Sequence, residues 1–191
     1  MNAIKVVKEN KRILKEYSKI PISFVVDYEY EIKQQDNGKY GILLEEKKVE
    51  PYSVDFDSVD DNPSRLGERF NIDNWPIFVA YHDSEVVGGA IIAHDTEGVN
   101  MLEGKSDLAV LWDLRVCKEF RSQGVGTILF KACLDWATEH NCTRMKIETQ
   151  NTNVKACKFY AKQGAKLINV NKNIYEDNPN EVQLIWNIDI K

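Results

Sequence analysis

Residues 108–137 read LAVLWDLRVCKEFRSQGVGTILFKACLDWA (Leu108–Ala137), and this stretch decides the fold. Leu108–Val116 is an apolar run of strand length and predicts a strand buried on both faces. A short polar link leads into Arg121-Ser122-Gln123-Gly124-Val125-Gly126, and a helix begins at once. Val125, Ile128, Leu129, Ala132, Trp136 and Ala137 recur at three- and four-residue spacing, which predicts one apolar stripe on a helix ending near Asn141. Lys131, Asp135 and Glu139 mark its polar face. Strand, glycine turn and helix in this order read as part of an α/β unit.

Working outward, Arg144–Gln150 alternates as a short strand, Asn151–Asn153 offers helix caps, and Val154–Gln163 reads as a helix stopped by Gly164. Lys166–Val170 and Val182–Ile190 read as two closing strands. Upstream, Pro76–Tyr81 and Val86–Ala93 form a hairpin around residues 82–85. Ile22–Ile32 and Tyr40–Leu44 form another, with Asp36-Asn37-Gly38 supplying the positive-φ turn positions. Asn2–Tyr17 carries a weak helical pattern that ends before Pro21, so residues 1–20 read as an N-terminal appendage. The order β-β, β-β, β-α, β-α, β-β, with no repeat or linker, predicts a single α/β domain over 1–191.

The chain has 191 residues, 43 % of them hydrophobic and 29 % charged, with only 10 Gly and 5 Pro. That is the composition of a globular domain. Its apolar runs fall far short of the ~20 residues needed to span a bilayer. The charged N-terminus lacks the apolar core of a signal peptide. A cytoplasmic protein with no membrane partner is the expectation. The net charge of −5 argues against nonspecific binding of nucleic acid, which depends on Lys and Arg neutralising phosphates. Seven acids against two lysines fall within Glu45–Asp61. They read either as a solvated acidic loop or as a lip that attracts a polyamine-like cation. Cys117, Cys133, Cys142 and Cys157 show no metal-ligand spacing, and His82, His94 and His140 are scattered, so no metal is expected.

The first turn of a helix carries unpaired N–H groups and a partial positive charge. After Leu108–Val116, with Arg121 adding a full charge and Gly124 and Gly126 allowing close backbone approach, that turn suits a pyrophosphate. The same glycines also suit a turn that merely needs positive φ. The P-loop pattern fails because no Gly-Lys-Ser/Thr follows. The dinucleotide fingerprint fails because Leu129 stands at its third glycine.

Leu114-Arg115-Val116, Arg121–Gly126 and the downstream Asn153-x-x-Ala156-x-x-Phe159-Tyr160-x-x-x-Gly164 together resemble the GNAT superfamily of acyl-CoA-dependent N-acetyltransferases. Val116–Ala137 and Ile147–Leu167 are most similar to the streptothricin acetyltransferases, and the likeness covers most of the chain beyond the first twenty or so residues. The resemblance implies a mixed, strongly twisted sheet flanked by helices and splayed open beside the strand of Leu114–Val116. It implies acetyl-CoA as co-substrate. The pantetheine arm would pair with the Leu114-Arg115-Val116 segment, and pyrophosphate would lie on Arg121, Ser122, Gln123, Gly124, Val125, Gly126 and Thr127, with Asn153 touching the cofactor. Tyr160 matches the family tyrosine beside the sulfur and is expected to act as general acid, the other reading being a core aromatic. Asp113 is expected either to anchor or deprotonate the amine through water, or to be a buried, hydrogen-bonded carboxylate. Trp112 stands where relatives often carry an acid and reads as a hydrophobic or cation–π wall for the acceptor. Glu148 is a further acceptor-side candidate. Lys155, Lys158 and Lys162 either reach the ribose phosphate or form a solvated helix face. The acceptor implied is a small cationic amine of streptothricin type. Another polyamine, a peptide amine, or a silent acyl-CoA-binding module are the alternatives.

Overall fold

Nine strands and four helices alternate along the chain in the computed structural model, which describes residues 3–34, 41–57, 62–175, 178 and 180–190. In chain order they are β1 (Lys5–Glu9), α1 (Leu14–Tyr17), β2 (Ser23–Gln34), β3 (Ile42–Asp55), α2 (Leu66–Arg69), β4 (Ile77–His82), β5 (Glu85–His94), β6 (Leu108–Val116), α3 (Val125–Glu139), β7 (Arg144–Gln150), α4 (Val154–Lys162), β8 (Lys166–Asn171) and β9 (Gln183–Asp189). Seven strands form one mixed sheet in the order β1-β4-β5-β6-β7-β9-β8, and β2 and β3 pair as a separate ribbon. The Asp36–Gly38 turn, like Asp60 and Asp61, lies outside the described residues.

The chain divides into two compact units. One comprises Met1–Ile22, Asp55–Ile147 and Asn187–Lys191, the other Ser23–Val54 and Glu148–Trp186. In the first, β1, β4, β5 and β6 are antiparallel neighbours, and β7 joins β6 in parallel. Two adjacent glycines of β5 show how its faces are covered. A side chain at Gly88 would press on Val125 and Leu129 of α3. One at Gly89 would lie 2.2 Å from the Tyr17 ring of α1. Successive strand residues face opposite ways, so α3 covers one face and α1 the other. On the α1 side, Leu14, Tyr17, Leu66, Ile72 and Trp75 pack with Ile77, Val79, Ile91, Leu108 and Val110. In the second unit α4 packs against β2.

Three expectations are corrected. Asn2–Tyr17 is not helical throughout: Lys5–Glu9 is an edge strand paired with β4, and only its last turns are helical. This segment is built into sheet and core, since Tyr17 is 0 % exposed. Lys5–Glu9 has too few apolar residues to display a strand period, and an edge strand needs only one covered side. Second, the acidic stretch is largely not a loop. Glu45, Glu46, Glu50 and Asp55 sit on β3, where Glu45 pairs with Lys33 and Glu46 with Lys158. Third, the buried stripe of α3 is Val125, Leu129, Phe130, Cys133, Trp136 and Ala137, whereas Ile128 is 45 % exposed. Positions 128 and 132 fall on the flank of a face centred on 129, 133 and 136.

Candidate functional site

β6 changes its pairing midway. Its parallel ladder with β7 runs from Leu108↔Arg144 to Leu111↔Ile147. On the other side its register against β5 slips between Ile91↔Asp113 and Ile92↔Leu111, leaving Trp112 as the extra residue of a bulge. Bulges bend a strand and re-aim its side chains. Beyond Leu111, residues 113–116 are registered against β5, and among the described residues no β7 partner is recorded for them. Leu114, Arg115 and Val116 therefore lie where β6 leaves its parallel neighbour. The Trp112 ring is half-buried in an aromatic trio, 5.2 Å from both Phe70 and Trp75. A cavity of about 620 Å³ lined by Phe70, Asp73, Asn74, Asp95 and Glu97 reaches this trio only through Phe70 and does not include the strand–turn–helix segment.

Asp113 and Arg115, two apart on β6, point to the same side and bind each other. Arg115 Nε donates to Asp113 Oδ1 at 3.0 Å and its Nη2 to Oδ2 at 2.5 Å. Arg115 Nη1 donates to the Ile20 carbonyl at 2.8 Å and to Asp57 Oδ1 at 2.9 Å. The Tyr17 hydroxyl donates to Asp113 Oδ1 at 2.5 Å. Arg115 is 3 % exposed. Burial works against its cation more than any other influence, yet the hydrogen bonds and charge of Asp113, with Asp57, raise its pKa above the usual guanidinium value. Burial first, and then the Asp113 charge, push the Tyr17 phenol well up, so it stays a donor. Of the two readings open for Asp113, this is the setting of a buried, hydrogen-bonded carboxylate.

After Val116 a short 3-10 turn (Lys118–Phe120) leads into the glycine turn. Ser122 has φ 61° and Gly124 φ 88°, both left-handed. Gly124 is the N-cap of α3, and among the described residues no side chain caps that end. Among the described residues nothing lies within 4 Å of the position a Gly124 side chain would take. The helix therefore opens on a bare, accessible backbone, with Gln123, Gly124 and Thr127 exposed, Gly126 partly exposed and Val125 buried beneath them. Arg121 donates from Nε to the Val116 carbonyl at 2.9 Å and from Nη2 to that of Pro21 at 3.4 Å. Gln123 Nε2 donates to the Glu119 carbonyl. Backbone N–H groups at such a helix end can hold an anion.

The second unit carries the remaining candidates. Asn153 is the N-cap of α4, its Oδ1 accepting from Ala156 N at 3.1 Å. Tyr160 lies on the buried face of α4, edge-on to Phe159. Glu148 accepts from the Tyr175 hydroxyl at 2.7 Å. Burial, with the Glu148 charge, raises the Tyr175 phenol well above its usual range. Burial also raises the Glu181 carboxyl, with Glu148 and Glu29 adding to it and a hydrogen bond from Thr152 opposing. Lys158 is bound to Glu46, as expected of a surface helix face. Tyr17, Asp57 and Tyr175 carry no local motif and escape a reading of the sequence, because their partners are 96, 58 and 27 residues away.

Residues 41–165 match the acetyltransferase (GNAT) family. The chain belongs to the GNAT acetyltransferase family. It is accordingly an acetyl-CoA-dependent N-acetyltransferase, with acetyl-CoA as co-substrate. Streptothricin acetyltransferase A of Bacillus subtilis (strain 168) is 28 % identical over 175 residues, 91 % of this chain and 92 % of that one. Streptothricin acetyltransferase of Escherichia coli is 26 % identical over 85 % of this chain and 83 % of that one. A Bacillus anthracis structure in complex with acetyl coenzyme A superposes with a TM-score of 0.77 at 24 % identity, covering 98 % of this chain and 99 % of that one. The mixed sheet flanked by helices is that of these GNAT neighbours. Among the described residues no helix of this acetyltransferase is long and apolar enough to cross a membrane.

Proposed function

We propose that this acetyltransferase modifies a primary amine of a small cationic acceptor of streptothricin type in the cytoplasm, inactivating an antibiotic. The observation that carries the cofactor side is the coincidence, within one unit, of the Trp112 bulge, the end of the β6–β7 ladder at Leu111, and the uncapped, left-handed Gly124 turn that starts α3. The acceptor side rests on the near full-length likeness to two streptothricin acetyltransferases.

Acetyl-CoA supplies an activated acetyl thioester. Backbone groups of Leu114 and Val116 hold its pantetheine arm. N–H groups from Gln123 to Thr127 hold pyrophosphate, with Arg121 adding charge at the junction of strand and turn. Asn153, whose carboxamide oxygen caps α4, offers its amide N–H groups to the cofactor. In the transfer the amine, having given up its extra proton to solvent, bonds through nitrogen to the carbonyl carbon. That nitrogen releases a further proton to water, the C–S bond breaks, and Tyr160 donates a proton to the departing thiolate and regains one from solvent. On the acceptor side the half-buried face of Trp112 offers a cation–π wall, and Glu148 is a further acceptor carboxylate on the strength of the family likeness alone. Asp113, saturated by Tyr17 and Arg115, serves by holding the strand.

The test is thiol release from acetyl-CoA with a panel of streptothricin, linear polyamines and peptides bearing free N-termini. Turnover is expected with streptothricin at the highest kcat/KM. Turnover of a polyamine or peptide with none of streptothricin overturns the acceptor assignment.

A further inference from the structure

The strand assigned to hold the cofactor is registered on one side only where it does so, and something must fix its geometry. We propose that Tyr17 and Asp57 are positioning residues for acetyl-CoA. They lock Asp113 and Arg115, and through them the backbone of Leu114–Val116. The proposal rests on the cofactor-binding reading of that segment.

All four side chains belong to one compact unit and form a closed array. Asp113 takes three donors, the Tyr17 hydroxyl and the Nε and Nη2 groups of Arg115. Arg115 spends its remaining fork on Asp57 and on the Ile20 carbonyl. Asp57 returns the bond to the chain by accepting from Ile22 N at 3.0 Å. Three successive residues are thereby fastened to β6 and its sequel, since Arg115 binds Ile20, Asp57 binds Ile22, and Arg121, which also holds Val116, binds Pro21. Tyr17 packs closely on β5 where Gly89 has no side chain to hold it off. Its ring also lies 5.4 Å from the Arg115 guanidinium carbon.

The charges explain why Tyr17 and Asp57 are both needed. Two carboxylates share one guanidinium in a buried place, leaving one negative charge over. The phenol supplies a neutral donor for the excess on the Asp113 side. The Ile22 amide does so on the Asp57 side. A buried ion pair missing one partner is strongly unfavourable, so the array holds a single geometry or rearranges. Because residues 113 and 115 are both pinned, the peptide groups around Leu114 between them cannot rotate freely. The array thus does for this part of β6 what the β7 ladder does for Leu108–Leu111.

The test compares Tyr17→Phe, which keeps the ring and removes the hydroxyl, with Asp57→Asn and Asp113→Asn. Acetyl-CoA binding is titrated by calorimetry, and KM and kcat are measured for both substrates well below each variant's Tm. The expected result for Tyr17→Phe and Asp57→Asn is a five- to twentyfold rise in acetyl-CoA Kd and KM. The acceptor KM should stay unchanged, kcat should stay within threefold, and the pH–rate profile should not move. Asp113→Asn is expected to share this signature with a larger rise in Kd. Unchanged acetyl-CoA affinity in Tyr17→Phe and Asp57→Asn overturns the proposal. So does a hundredfold loss of kcat in Asp113→Asn at unchanged affinity with loss of a pH–rate limb, which would make Asp113 the base. Failure of the unsubstituted enzyme to bind acetyl-CoA instead overturns the cofactor-site reading beneath it. Should Tyr17→Phe not fold, Asp57→Asn carries the test alone, because Asp57 is partly exposed and its amide keeps the shape.

Discussion

Tyr160 poses the sharpest question at the scale of a single residue, because a buried aromatic on a helix and a general acid occupy the same place. Its ring lies on the buried face of α4 beside Val154 and Cys157. Packing alone therefore accounts for an aromatic there, but not for the phenolic oxygen. Tyr160→Phe separates the two: it preserves the packing and removes only the proton donor. Turnover is expected to fall by roughly tenfold to a hundredfold with acetyl-CoA affinity nearly intact, the mark of an interaction made in the transition state. A rate equal to that of the parent enzyme, measured by thiol release, assigns Tyr160 to the core. Tyr160 and Asn153 could be read in the sequence because their motif lies within one helix and its cap. Tyr17 and Asp57 could not. Tyr17 reaches Asp113 only through the fold, and nothing near Tyr17 marks it off from an ordinary core aromatic.

At the scale of elements, the strand–turn–helix joint was legible because its demands are local: an apolar run, a left-handed glycine and a helical stripe. Gly124 has φ 88°, where a side chain is strained whatever the space around it, and a β-branched one most of all. Open space beside Gly124 means that an added methyl meets no neighbour in the protein and projects toward whatever the turn holds. CoA affinity measured by calorimetric titration is therefore expected to fall modestly in Gly124→Ala and sharply in Gly124→Val. Equal affinity across the series removes the pyrophosphate from this turn. The elements that misled are those whose period is set by distant partners. Lys5–Glu9 is a strand because β4 offers an edge, and Glu45–Asp55 is a strand because β2 does. Charge along that second stretch suggested a loop or lip, whereas lysines at 33 and 158 meet two of its glutamates.

At the scale of the whole molecule, one pairing recurs: a tyrosine donating to a carboxylate. Tyr17 binds Asp113, Tyr52 binds Glu29, Tyr81 binds Glu9 and Tyr175 binds Glu148. Burial first and then the carboxylate partner raise all four phenols, the partner's charge ahead of its hydrogen bond at Tyr17 and Tyr175 and behind it at Tyr52 and Tyr81. A phenol raised in the folded state keeps its proton where the unfolded chain has lost it. Its stabilisation is complete below the unfolded pKa of about 10 and is lost as pH climbs beyond it. Glu103 works in the opposite sense. Hydrogen bonds from Lys146 first and Lys105 next, with their charges, hold its carboxyl down at about 2. That contribution is complete above the unfolded carboxylate value of about 4.3 and is lost as pH falls toward the folded one. Buried thiols, Cys133 and Cys157 above all, are raised as well and begin to lose their contribution near the unfolded thiol value of about 8.5, so Tm is expected to be flat between about pH 5 and 8 and to fall on both sides, most steeply above pH 10. Tyr17 is one of several groups on the alkaline limb, beside Tyr52, Tyr175 and Cys133. A group protonated in the folded state and ionised in the unfolded one changes stability by about 1.4 kcal/mol per pH unit, so Tyr17→Phe should flatten that limb by up to this slope. Denaturant titrations of both proteins between pH 9 and 11 measure the difference. Parallel limbs would show that the Tyr17 hydroxyl is not held protonated in the folded protein, and the array around Arg115 would lose the donor that balances its charge.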